Sequence, residues 1–199
     1  MRRYNYQKVR REVRKMVKKA CYSANNHFSY TDWPYHILPV VNHSLRLGKM
    51  LKADLEVLEL AAYLHDYAGI LDYRLYKNHH LHGAKLAGKI LGSLNFPPEK
   101  IKKVQECIIS HRGSVRLEHK SKEAKILASA DAMSHFTELA DMFYLTFGIH
   151  GYKTLEGTKW LKAKLERSWA KIMPAGRKLV RADYEMAKKI INKAISPKA

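Results

Sequence analysis

Apolar positions recur along most of this chain at helical spacing, and nowhere in the strict alternation of a half-buried strand. Val9, Val13, Met16, Val17 and Ala20 fall on one face of a first helix, with Arg and Lys between them. Asp32 is placed to cap a second helix, about Pro34 to Leu51, in which Pro34 suits the first turn and Pro39 is near enough to the start to be tolerated. Asp54 caps a third, which runs through the apolar stretch Leu58–Leu64 to His65 and Asp66 and is broken at Gly69. Residues 69–78 read as a loop. Further helices are expected over about His79–Leu94, Pro98–Ser110 and Ser121–Phe147, then two basic ones over about 158–170 and 174–195. The pattern predicts an all-α, single-domain helical bundle over 1–199. Its motif-bearing centre covers about 30–140, with a basic N-terminal helix (1–24) and basic C-terminal helices (152–197) packed on it.

Charge changes the picture mainly at the ends. The net charge is +19 over 199 residues, and it divides as +8 in residues 1–20, +2 in 21–151 and +9 in 152–199. Basic ends suit a polyanion, so nucleic acid is a possible partner through the termini; a solvated lysine-rich helix face is the plainer alternative. No zinc-finger or RNP-type pattern supports the former. No apolar run approaches the roughly 20 residues of a membrane span. The first residues are charged rather than apolar, and Cys21 and Cys107 form no CxxC, so a reducing cytoplasmic setting is expected. Trp33, Trp160 and Trp169 read as core anchors.

The candidate chemistry lies in the nearly neutral centre. His65-Asp66 closes an apolar helix, with His36 upstream and His79-His80-Leu81-His82, His111 and Asp131 downstream. Imidazole and carboxylate together suit a divalent transition metal, and two neighbouring ions can share a carboxylate. Adjacent residues diverge by about 100° around a helix, so both members of the pair reach one point only near a helix end.

These residues carry a family resemblance. His36-Ile37-Leu38-Pro39-Val40, Ala62-Tyr63-Leu64-His65-Asp66, His80-Leu81-His82-Gly83-Ala84, Cys107-Ile108-Ile109-Ser110-His111 and the helix through Ala130-Asp131-Ala132 resemble, in order and spacing, the motifs of the HD-domain superfamily of metal-dependent phosphohydrolases. The resemblance implies an HD-domain helical bundle binding one or two divalent ions (Mn, Fe, Co, Ni, Zn or Mg). His36, His65, Asp66 and Asp131 would hold the first, and Asp66 would bridge to a second held by His80 and His111. A metal-activated water would attack the phosphorus of a nucleotide or another small phosphate ester. Spacing to Gly83 favours His80 over His79 and His82, which would lie at the rim, His82 touching substrate.

Around this cage Arg112 is the expected catalytic phosphate contact, and Arg74 and Lys77 the expected substrate-binding cations on the loop after the His-Asp pair. Asp72, the only acid near that pair, is the candidate proton carrier. His27, His43, His119, His135 and His150 have no motif support. The text also departs from the family: Pro39 stands where many relatives have Arg, and Tyr67-Ala68-Gly69-Ile70 displaces a Gly and lacks the Lys that follows it. Two other functions stay open: a nucleic-acid-binding or regulatory module with a vestigial metal site, and a di-iron oxygenase on a related helical scaffold.

Overall fold

The helix Leu55–Leu64 (α3) is buried on every side from Val57 onward, and the rest of the bundle is arranged around it. The structure, a computed structural model, describes residues 4–112 and 121–196, and among these it is all α. Asp54 caps α3 as expected, accepting from the Glu56 and Val57 amides. A helix that is apolar almost all round has no solvent face to offer, so it needs partners around its whole girth. They are Tyr6–Cys21 (α1), Leu38–Leu51 (α2), Pro98–Ser110 (α6) and Lys122–Thr137 (α7).

The periodic stripe of α1 is buried, as its spacing predicts: Val9, Val13, Val17 and Ala20 join the core, with Cys21 beside them. One polar tie crosses this apolar seam. Buried Glu59 of α3 accepts from the Tyr6 hydroxyl at 2.5 Å and from Arg10 Nε at 2.6 Å. Both oxygens of the carboxylate are thereby paired, which its burial requires.

Four boundaries differ from the reading of the sequence. Gly69 does not end a helix: the chain turns at Asp66 (φ −106°, ψ 3°) and re-enters a short helix, Tyr67–Leu71 (α4), which leads into a tight 3₁₀ segment, Tyr73–Asn78. Asp32 does not cap α2 through a hydrogen bond. A wide turn, Trp33–Ile37, precedes α2, with the Leu38 amide reaching back to the Trp33 carbonyl, and the Asp32 carboxylate accepts from Asn26 instead. The expected helix to Phe147 ends at Thr137, because Glu138 leaves helical geometry (φ −118°, ψ 54°). It resumes as Leu139–Phe143 (α8) and a wide turn, Tyr144–Ile149. The last basic helix divides at Val180 into Pro174–Leu179 (α10) and Arg181–Ile195 (α11), after Thr154–Lys171 (α9).

The remaining helix, His79–Ser93 (α5), packs on α6 and α4. Gly83 lets its first turns come close to the end of α3: a Cβ there would sit 3.4 Å from the His65 carbonyl and 3.3 Å from Ile108. On the other side α7 and α9 pack together, with α10 and α11 behind them around Met133, Leu161, Ile172 and Ile191. The ends of α3, α5, α6 and α9 and the middle of α7 thus meet at one place.

Candidate metal centre

Four buried or half-buried imidazoles converge on the carboxylate of Asp66. On one side, Asp66 Oδ2 lies 3.2 Å from His36 Nε2 and 3.4 Å from His65 Nε2, and those two nitrogens are 3.0 Å apart. On the other, Asp66 Oδ1 lies 3.0 Å from His79 Nε2 and 3.4 Å from His111 Nε2, which are 3.1 Å apart. Asp131 Oδ1 completes the first group, 3.8 Å from His36 Nε2.

The backbone sets which nitrogen of each ring faces inward. His65, His79 and His111 each donate Nδ1–H to the carbonyl three residues earlier, of Ala62, Tyr76 and Ile108, at 2.8, 2.7 and 2.6 Å. A neutral imidazole with its proton on Nδ1 has only a lone pair on Nε2. His36 follows the same logic: the Ser134 hydroxyl donates to the Asp131 carbonyl, leaving its oxygen to face His36 Nδ1 at 3.4 Å. Lone pairs therefore face one another across about 3 Å beside a carboxylate, an arrangement that repels itself unless a cation lies between. Asp66 Oδ1 is buried and makes no hydrogen bond to any described residue. The donor set, neutral nitrogens with carboxylate oxygens, fits a divalent transition metal.

Burial acts to raise the Asp66 carboxyl, but the imidazoles gathered round it, His65 and His79 foremost, hold it well below the ordinary value. Asp131 is likewise held low against burial, chiefly by the Lys171 ammonium. Burial brings His111 down to about 4, so that imidazole is neutral at neutral pH.

The structure assembles His36, His65, Asp66, His111 and Asp131, and it brings His79 rather than His80 to the cluster. α5 begins at His79, so this residue points into the cleft, and the next is turned about 100° away. His80 is buried elsewhere, and its Nδ1 has no partner among the described residues. The expected substrate contacts divide. Arg112 lines the cavity beside the cluster and is tied back to the Lys77 carbonyl. Arg74, Lys77 and His82 are exposed and do not line it, because the 3₁₀ segment and the outer face of α5 turn them to solvent. The Asp72 carboxylate is taken up by Arg74 at 2.7 Å, and by capping the Arg74 amide. Residues 113–120, with His119, lie outside the described residues.

The cavity, about 400 Å³, is completed by residues that the motifs do not include. Lys171 of α9 donates to Asp131 Oδ2 at 2.6 Å and to the His111 carbonyl at 3.0 Å. His135, one turn after Asp131, has Nδ1 2.8 Å from Ser168 Oγ, whose own proton goes to the Lys164 carbonyl. Its Nε2 is therefore a lone pair, 3.7 Å from Asp131 Oδ1, and burial together with Lys164 keeps the ring neutral. Lys164, Arg167 and Trp160 line the same wall, so Trp160 is a cavity residue as well as a packing one. Two signals lay in the sequence: the i, i+3, i+7 spacing of Lys164, Arg167 and Lys171, and the i, i+4 spacing of Asp131 and His135.

An all-α bundle whose central helix ends in a His/Asp cluster able to hold a metal ion is the class of protein that the fold and site define. Residues 35–135 match the HD domain, and the chain belongs to that family. Among solved structures it is similar to YpgQ of Bacillus subtilis (20% identity, 94% of each chain covered, TM-score 0.73). A protein of Listeria innocua is alike at 18% identity, with 96% of each chain covered and TM-score 0.73. So is a predicted HD superfamily hydrolase from an uncultured Thermotogales bacterium, at 20% identity, with 92% of this chain and 89% of that one covered and TM-score 0.62. YpgQ has also been solved in complex with ADP (19% identity, TM-score 0.68, 92% of this chain and 94% of that one covered). The curated proteins give no match. No helix among the described residues is long and apolar enough to cross a membrane.

Proposed function

We propose that this protein is a divalent-metal-dependent phosphohydrolase acting on a nucleotide or another small phosphate ester. The observation that carries the reading is the division of Asp66 between two imidazole pairs, Oδ2 with His36 and His65, Oδ1 with His79 and His111. His36, His65, Asp66 and Asp131 would hold one ion, and Asp66, His79 and His111 a second. When bound, such ions supply Lewis acidity, offsetting the negative charge of the phosphate ester and making water acidic enough to be a nucleophile at neutral pH.

The chain's own residues prepare that chemistry. Lys171 occupies Asp131 Oδ2 and so leaves Oδ1 for the cluster. Arg112, fixed through the Lys77 carbonyl, brings a guanidinium to the cluster side of the cavity, where phosphoryl oxygens would gather charge. His135, neutral and with Nε2 toward the cavity, is the proton acceptor in place of Asp72. Tyr76, Tyr144, Tyr152 and Trp160 offer flat apolar faces of the kind a nucleobase stacks on. Membership of the HD family, and a similar fold solved with ADP, support the nucleotide reading.

The test is a screen of the full chain, loaded in turn with Mn, Co, Ni, Zn, Fe and Mg, against nucleoside mono-, di- and triphosphates, cyclic nucleotides and an aryl phosphate. Metal-dependent release of phosphate or pyrophosphate that Asp66→Ala abolishes is the expected outcome. No turnover of any of these substrates with any metal would overturn the assignment.

A further inference from the structure

Beyond the scissile group, one wall of the cavity has a composition that hydrolysis of a simple monoester does not require. α9 presents Lys171, Arg167 and Lys164 along one face, and all three line the cavity that holds Asp66 and Asp131. Lys171 is consumed by Asp131 and the His111 carbonyl. Lys164 is not: it is half-buried, and it makes no ion pair or side-chain hydrogen bond with any described residue. At about 1.5 Å per residue it stands roughly 10 Å along α9 from Lys171, with Arg167 between them. An ammonium taken partly out of water without a partner is costly to fold, and burial lowers its proton affinity accordingly. Of the carboxylates lining the same cavity, Asp131 and Asp66 attract Lys164 only from beyond ion-pair distance, and Asp32 and Asp141 lie on the side of His36. The cavity therefore has an acidic side next to His36 and a cationic side along α9.

We infer that Lys164, assisted by Arg167, forms a second anion subsite that receives a phosphoryl group other than the one attacked, so that the site selects phosphoanhydride substrates over monophosphates. This rests on the phosphohydrolase reading for its function, but the subsite can be measured without turnover. The ligand is a pyrophosphate-type dianionic chain reaching from the cluster toward Lys164. The unpaired ammonium is then a group kept desolvated for the ligand, because a charge-assisted hydrogen bond made in such a place is stronger than one made in water.

The experiment is isothermal titration calorimetry on the full, manganese-loaded chain, with the same manganese concentration in cell and syringe. The probes are methylenediphosphonate, which does not hydrolyse, and orthophosphate. Wild type should bind the diphosphonate at least tenfold more tightly. Lys164→Met should remove that preference while changing orthophosphate affinity less than twofold, and Lys164→Arg should retain most of it. A melting temperature for Lys164→Met equal to or above that of wild type is part of the expected result, since a half-buried charge without an ion-pair partner has been removed. Equal weakening for both probes, unchanged diphosphonate binding, or a lowered melting temperature would overturn the subsite. If the subsite behaves as expected but no phosphate ester is hydrolysed in the screen above, the catalytic reading fails and the anion site stands.

Discussion

His79 and His80 are neighbours in the chain, and they give opposite outcomes when each is replaced by Gln. His79 Nε2 lies 3.0 Å from Asp66 Oδ1 and 3.1 Å from His111 Nε2, and its Nδ1 is fixed by the Tyr76 carbonyl. Removing it leaves the second group with one imidazole and one carboxylate oxygen. Loss of an outer-sphere partner alone costs about 10–100-fold in metal affinity, so loss of a direct donor should cost at least about 100-fold, or about 2.7 kcal/mol. The first group, His36, His65, Asp66 and Asp131, is untouched by this change. His79→Gln should therefore retain one tightly held ion, and His80→Gln should retain two. The assay is elemental analysis after equilibrium dialysis against a fixed free-metal buffer, with the affinity of the weaker ion followed by calorimetry. The reasoning is refuted if His80→Gln loses the second ion while His79→Gln keeps it.

Lys171→Met should weaken metal binding about 10–100-fold, by releasing Asp131 from its fixed orientation, and calorimetry with Mn checks this. Tyr6→Phe should lower unfolding stability in urea by about 1–2 kcal/mol, since a hydrogen bond to a buried charge is lost while Arg10 still pairs with Glu59. Burial, followed by Arg46, lowers His43 to about 4, while Thr137 sits 3.1 Å from its Nε2. That contribution to stability is complete above the unfolded value near 6.5 and is lost as pH falls toward 4, by up to about 3 kcal/mol. The difference in urea stability between wild type and His43→Gln, measured from pH 7.5 to pH 4, should shift by that order in favour of the variant; a pH-independent difference would rule the effect out.

Much of the scaffold could be read from periodicity. The stripe of α1, the Asp54 cap, the apolar α3 that ends in His65-Asp66, and the helices bearing His111 and Asp131 all follow from local pattern. Those features are legible because a helix must bury one face and an adjacent His-Asp pair reaches one point only near a helix end. What could not be read depends on single-residue register or on tertiary packing. Motif spacing to Gly83 selects His80, but the first turn of α5 aims His79 into the cleft, and a one-residue step rotates the donor by about 100°. The breaks at Glu138 and Val180 carry no Gly or Pro, so nothing local announces them. Arg74 and Lys77 were natural candidates for substrate by their closeness in sequence to the His-Asp pair, whereas Lys164, Arg167 and Lys171 reach the cavity only because α9 packs on α7. The basic C-terminal segment, read as a solvated face or a polyanion contact, thus divides into cations that face the site and others that face water.

The shared carboxylate is tested most directly by anomalous diffraction at the manganese edge, from crystals of the manganese-loaded protein. Two peaks on opposite sides of Asp66, one beside His36 and His65 and the other beside His79 and His111, are the predicted result. A map with no peak at Asp66, or with a single peak that leaves His79 and His111 without a cation at saturating manganese, would contradict it.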